Sequence, residues 1–230
     1  MKVAVLYSGG KDSTLAIEYC LKKGWKIEYL LSVKPSRTDC YLFHFATVEH
    51  TPQIAEILNL KHYLLRCNVA DPIKEALIIR NFVKDHKVDA VVLGGVGLQL
   101  TQIKSIQDVL LPFGIEVFAT HSGDDEEFLM DDMVSRGYKI FITEVAADGL
   151  NEDWLGKELT KENLQELKQK SIKYGFNYLG EGGHYNSLVV DAPFFSKRLE
   201  ISKFEKVMDT KYSGYLTINE TKVVEKALTL

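Results

Sequence analysis

Long apolar runs, paired cysteines and an excess of positive charge are all missing from this 230-residue sequence. No stretch reaches the roughly 18 consecutive apolar residues that mark a membrane-spanning helix, so none is expected. Met1-Lys2 runs directly into an apolar strand pattern, which leaves no room for a secretory leader and gives a cytoplasmic expectation. Cys20, Cys40 and Cys67 lack any CxxC spacing; an odd set of three fits a reducing compartment and supplies neither a zinc nor a redox motif. The formal net charge of −4 argues against a surface devoted to nucleic acid and gives no strong signal for such a partner. Two phosphate signatures are absent as well. There is no GxGxxG, and a Walker A loop is excluded because Lys11 is followed by Asp12.

What is present is ordinary in bulk and specific in one place. Hydrophobic residues make up 46% and charged residues 26%, the balance of a soluble globular protein able to bury a core. The specific place is KVAVLYSGGKDST, residues 2–14: an apolar strand, a glycine turn and a helix start in succession. Leu15, Ala16, Ile17, Tyr19 and Leu21 read as the apolar side of that helix, which Gly24 ends. Such a junction gathers backbone N–H groups and the positive end of a helix dipole at one spot. Gly9 and Gly10 admit an oxygen close to the backbone, Ser8 and Ser13 add hydroxyls, Lys11 adds a cation and Asp12 adds a ligand for magnesium. The pattern is built for polyphosphate.

Along the chain, apolar strands are expected at 26–33, 62–67, 89–94 and 115–119. Between them, Thr51-Pro52 and Asp71-Pro72 open helices, the second running to about Lys87, and another helix spans about 99–111. This alternation predicts right-handed βαβ units: an α/β fold with a five-stranded parallel, doubly wound, Rossmann-like sheet, and ligands at the carboxyl ends of its strands. The loop after Val33 and Gly94-Gly95 should therefore share the rim with Ser8–Ser13. After a boundary near 122–123 a smaller α/β domain is expected, sharing a cleft with the first. It has a helix from Asp124 with Phe128, Leu129, Met133 and Val134 inward, a strand at 140–145, a charged helix at 161–173, an apolar run at 188–190 and a final edge strand over 214–224.

The hexapeptide Ser8–Ser13 resembles the PP-loop, S-G-G-x-D-S, of the ATP pyrophosphatases, which split ATP between the α and β phosphates. Further segments, in order, resemble the diphthine–ammonia ligases, also called N-type ATP pyrophosphatases. These are Tyr41-Leu42-Phe43-His44, then Gly94-Gly95 with Gln102, then Gly149 to Lys157 around Trp154. Gly180-Glu181-Gly182-Gly183-His184-Tyr185-Asn186-Ser187 and Val190-Asp191-Ala192-Pro193 complete the set, which covers about residues 1–200.

The resemblance implies an adenine nucleotide alpha hydrolase-like domain at 1–122, a PP-loop ATP pyrophosphatase, and an acceptor-substrate domain at 123–230. It implies an AMP-forming ligase that adenylates the carboxylate of diphthine on translation elongation factor 2 and amidates it with ammonia. Tyr7, Ser8, Gly9, Gly10, Lys11, Asp12, Ser13, Val33, Gly94 and Gly95 would hold ATP, with Asp12 on Mg²⁺. Lys11, Asp12, Glu181 and His184 would be catalytic, and His44, Gln102, Gly182, Gly183 and Tyr185 would contact the acceptor. The family's two acids in the Glu-Tyr-Glu-Thr segment are His184 and Asn186 here, which changes the electrostatics of that segment. Two alternatives stay open: adenylation of another acceptor, such as a small acid or a tRNA base, and an adenine-nucleotide-binding module without catalysis. A homodimer is an open alternative to a single chain. Trp154 reads as packing.

Overall fold

The structure is a computed structural model describing residues 1–37, 40, 42–43, 47–95, 100–120 and 125–226, the side chains of 100–102 and 126 excepted. It divides into two compact units: Met1–Ser8 with Asp12–Gly123, and Gly9–Lys11 with Asp124–Leu230.

The first unit is a five-stranded parallel sheet of β1 (Lys2–Leu6), β2 (Lys26–Pro35), β3 (His62–Cys67), β4 (Ala90–Leu93) and β5 (Glu116–Ala119), in the order β3-β2-β1-β4-β5. Val3, Ala4 and Val5 of β1 and Ala90, Val91 and Val92 of β4 are wholly buried. Strands covered on both faces carry such continuous apolar runs, and this is why 2–6 and 90–93 were legible. The connecting helices are α1 (Lys11–Lys22), α2 (Thr51–Ile57), α3 (Pro72–Val83) and α4 (Leu100–Leu110). On one face, Ala76, Ile79 and Val83 of α3 and Ile106 and Leu110 of α4 join Ala4, Tyr29, Leu31 and Val91 in a single core. Right-handed crossovers carry α1 and α2 to the other face. On α1 the expected inward Leu21 is 49% exposed, and Cys20 is buried in its place. The apolar stripe follows the 3.6-residue turn through Ala16, Ile17 and Cys20, which rotates Leu21 outward. Helix α3 stops at Val83, short of Lys87.

The second unit holds α5 (Glu126–Ser135), β6 (Lys139–Ala146), α6 (Lys161–Tyr174), β7 (Tyr185–Asp191), β8 (Lys197–Thr210) and β9 (Ser213–Glu225). Its sheet is antiparallel, ordered β7-β6-β9-β8. Two sequence expectations are corrected here. Phe128 of α5 is 72% exposed, while Leu129, Met130 and Met133 form the buried face. Asp125 caps this helix by accepting the N–H of Phe128, which puts Phe128 in the first turn on the solvent side. Strand β9 is interior: β8 pairs with it from Lys197 to Thr210, and β6 takes its other side at Ser213–Tyr215. Along β9 the side chains alternate, with Leu216 and Ile218 buried and Thr217 and Asn219 exposed. Alternation reports a face and is silent about lateral neighbours. Trp154 is 1% exposed and serves packing, with the Lys157 Nζ 4.3 Å from its ring centroid.

Candidate nucleotide site

Chain order in the first sheet runs outward from β1 to β3 and returns across to β4, so the direction of winding reverses between β1 and β4. Open α/β sheets bind ligands at this switch point, beyond the carboxyl ends of the two strands. The glycine turn lies there. Gly9 has φ +84°, a left-handed conformation that glycine adopts without penalty. Helix α1 starts two residues later with Lys11 as its first residue.

From the β4 side, Gly94 closes on the same turn. A methyl group placed on Gly94 would lie 2.2 Å from the carbonyl carbon and oxygen of Asp12 and 2.4 Å from the N–H nitrogen of Ser13. Backbone therefore touches backbone, which only glycine permits. Next to it, Gly95 has φ +135°, again in the left-handed range. The structure thus brings Gly94 against Asp12 and Ser13, residues 81 or more apart in sequence.

Hydroxyls frame the turn. The Ser13 Oγ accepts the Ser8 N–H at 3.2 Å and lies 3.1 Å from the Ser8 Oγ. Lys11 and Ser13 are buried, at 4% and 6% exposure, and Asp12 is half-buried. Asp12 supplies a carboxylate and Ser8 and Ser13 supply hydroxyls within the same turn, oxygen donors of the kind a hard cation such as Mg²⁺ takes, so this chemistry fits the ion. Tyr7 is buried at the end of β1, and that desolvation pushes its phenol well above the usual tyrosine range, opposed in part by the Thr14 hydroxyl. Its N–H donates to the Leu31 carbonyl at 2.9 Å and its carbonyl accepts the Ser32 hydroxyl at 2.5 Å, so Tyr7 is pinned to β2. Val33 is buried in β2, two residues on from Leu31.

Gly9–Lys11 belong to the second unit and bond within it. The Gly9 carbonyl accepts the Val189 N–H at 2.9 Å, the Lys11 N–H donates to the Ser187 Oγ at 3.3 Å, and the Lys11 Nζ sits 5.8 Å from the Tyr185 ring centroid. Ser187 closes the family-like Gly180–Ser187 segment and Val189 lies in the expected apolar run, but neither was read as a partner of the glycine turn; both are strand residues of β7.

The expected acceptor loop is a locked turn. The Asn177 Oδ1 accepts the N–H groups of Leu179 at 2.9 Å and Glu181 at 3.0 Å, while the Asn177 N–H donates to the His184 Nδ1 at 3.1 Å. The Tyr185 hydroxyl donates to the Tyr178 carbonyl at 2.8 Å. Gly180, Gly182 and Gly183 all have φ near +80°, and a methyl on Gly180 would lie 2.6 Å from the Tyr185 carbonyl oxygen. With Nδ1 accepting a backbone donor, a neutral His184 carries its proton on Nε2. Asn186 donates from Nδ2 to the Glu144 Oε2 at 2.6 Å. A carboxylate thus stands beside Asn186 after all, contributed by β6. The sequence concealed it, because contact between 144 and 186 exists only through sheet pairing. His44 lies outside the described residues, and Gln102 lies in α4 with its side chain outside them.

Comparison with known proteins identifies the family. Family models described as diphthamide synthase N-terminal domain and C-terminal domain match residues 1–116 and 125–224. A zebrafish (Danio rerio) protein named diphthine–ammonia ligase is 28% identical, covering 90% of this chain and 89% of its own. A mouse (Mus musculus) protein of the same name is 27% identical, covering 98% and 94%. A Schizosaccharomyces pombe relative of that name is 28% identical over 90% of this chain and 37% of its own longer one. A solved structure from Methanocaldococcus jannaschii, described as a subunit of tRNA methyltransferase, aligns over 84% of this chain and 97% of that one at 16% identity and a TM-score of 0.42. With both halves matched in order, the chain belongs to the diphthamide synthase family.

Proposed function

We propose that this chain is a diphthine–ammonia ligase, an ATP-dependent enzyme that joins ammonia to the carboxylate of diphthine. Atoms balance in two steps: the carboxylate displaces pyrophosphate from the α-phosphorus of ATP, and ammonia then displaces AMP from the acyl group and gives up a proton. The observation that carries this reading is the Ser8–Ser13 turn at the β1/β4 switch point, with Gly94 packed against Asp12 and Ser13.

In this reading, the backbone N–H groups of Gly9 and Gly10, the hydroxyls of Ser8 and Ser13, and Lys11 hold the phosphates, and the helix dipole of α1 adds to their field. Asp12 would hold Mg²⁺, and the ion would supply positive charge to the departing pyrophosphate. Fixed donors at a leaving group of this kind supply much of the rate, since they need no reorganisation during reaction. Gly94 and Gly95 shape the nucleotide site, and adenine lies over the strand ends beside Tyr7 and Val33. Glu181, Gly182, Gly183, His184 and Tyr185 attend the acceptor, together with His44 and Gln102. Glu144, held by Asn186, supplies the negative charge that the family keeps in its own glutamates, for a cationic headgroup or for ammonium. The acceptor protein is elongation factor 2 in its diphthine form.

The test is direct. Protein, ATP-Mg²⁺, ammonium and diphthine-bearing elongation factor 2 should yield AMP, pyrophosphate and diphthamide in equal amounts. Lys11→Ala should lower the rate by about 100-fold or more, the scale of a lost oxyanion-type donor. Pyrophosphate without amide would turn the reading to another carboxyl or carbonyl acceptor; intact ATP with every acceptor would leave only a nucleotide-binding module.

A further inference from the structure

Two of the three cysteines meet in space, and a buried carboxylate meets them. The sulfurs of Cys40 and Cys67 and a carboxylate oxygen of Glu75 all lie within 4.8 Å of one another. Cys67 is the last residue of β3, Glu75 is in the first turn of α3, and Cys40 belongs to the loop after β2. Cys67 and Glu75 are wholly buried, and Cys40 is half-buried. Both thiols donate to one carbonyl, that of Val69, at 3.2 Å from Cys40 and 3.3 Å from Cys67. The Glu75 Oε2 accepts the Leu42 N–H at 2.7 Å, which holds the loop over the cluster.

We propose that Cys40, Cys67 and Glu75 form a binding site for a thiophilic divalent cation of the zinc class. A tetrahedral zinc with two sulfur ligands and one oxygen ligand places its ligand atoms about 3.6–3.8 Å apart, from bonds of about 2.3 and 2.1 Å. The three groups are therefore within roughly 1 Å of a coordinating arrangement, and a short movement of the Cys40 loop closes the difference. Thiolates select zinc over magnesium and calcium. The fourth position falls to water or to the Val69 carbonyl. Binding exchanges two thiol protons for one metal ion, leaving the centre with a single negative charge at the positive end of α3.

The consequence is mechanical. Cys40, Leu42 and Phe43 are on the loop at the carboxyl rim of the sheet, and Leu42 and Phe43 pack against the core that α3 and α4 share. A bound cation ties that loop to β3 and α3 in one clasp. Cys20 is excluded: it is buried in α1, and desolvation pushes its thiol up to about 12. The inference stands apart from the ligase reading, and no substrate enters its test.

The experiment is a zinc titration of the full chain, stripped with chelator and kept reduced, in competition with a chromogenic chelator. One equivalent should bind with release of about two protons at pH 7, and cobalt in its place should give thiolate-to-metal charge-transfer absorption. Cys40→Ser, at the half-buried position, should weaken zinc by more than the 10- to 100-fold that losing a mere support of a ligand costs. Glu75→Gln should weaken it while leaving the charge-transfer band in place. Cys67→Ser should abolish the band, and where that buried variant fails to fold, Cys40→Ser decides. No stoichiometric zinc, or zinc retained undiminished in Cys40→Ser, overturns the proposal. So does a reduced chain that ignores zinc but joins Cys40 to Cys67 when treated with a thiol oxidant.

Discussion

At Gly94 the constraint is space. Its nearest neighbours are backbone atoms of Asp12 and Ser13, which cannot rotate aside as a side chain would. Gly94→Ala should destabilise the fold by about 1–3 kcal/mol, the range for overpacking, and should lower pyrophosphate release at least 10-fold by displacing the turn. Urea unfolding and an AMP assay check the two parts separately. His62 is the residue-scale case for pH. It is half-buried, its Nε2 lies 2.8 Å from the Ser32 Oγ and 3.0 Å from the Thr51 Oγ1, and burial lowers its pKa from 6.5 to about 4. The unfolded chain takes up this proton below about pH 6.5, while the fold refuses it until about pH 4. Stability from this group is therefore complete above pH 6.5 and is lost as pH falls toward 4, on the order of 1–3 kcal/mol after allowance for its partial exposure. Denaturant melts at pH 7 and pH 4.5 should show that loss, and His62→Gln should flatten it. Glycines 9 and 94 were legible because each follows an apolar strand; His62 was not, since its partners Ser32 and Thr51 come from other elements.

Elements were read best where capping chemistry is local. Asp71-Pro72 was expected to open a helix, and the Asp71 side chain accepts the Lys74 N–H at 2.8 Å over α3. Asp71→Ala should cost about 0.5–2 kcal/mol, the range for an N-cap, measured by thermal or urea unfolding, and Asp71→Ser should restore most of it. A full effect of Asp71→Ala persisting in the serine variant would deny the capping role. Thr160 caps α6 in the same way, accepting the Asn163 N–H at 3.3 Å, a cap the sequence reading did not name. At α5 it placed Leu129 and Met133 on the buried face and erred at Phe128, which the first turn points to solvent. It failed again at β9, whose neighbours depend on how a hairpin of two long strands meets β6. Helix ends are set within four residues, whereas sheet order is set by pairing across tens of residues.

For the molecule as a whole, the prediction is linkage. A non-cleavable ATP analogue with Mg²⁺ at 100 times its dissociation constant should stabilise the chain by about 2.7 kcal/mol. For a chain of this length that is a rise of about 5–11 °C in Tm, at 2–4 °C per kcal/mol. Lys11→Ala should remove most of the rise without changing the melt in the absence of nucleotide by more than a few degrees. An unchanged rise would separate Lys11 from the phosphates. Among the described residues no helix is long and apolar enough to cross a membrane, as the short apolar runs implied.

The amino-acid sequence by itself determined the parallel sheet, the glycine turn between β1 and α1, and the family to which the chain belongs, because strand burial, helix caps and the Ser8–Ser13 pattern are written in neighbouring residues. Only the tertiary structure decided that Gly94 meets Asp12, that Glu144 stands beside Asn186, and that Cys40, Cys67 and Glu75 converge. Each joins residues 27 to 82 positions apart or carried on separate elements, where proximity comes from sheet order and crossover direction and leaves no local trace.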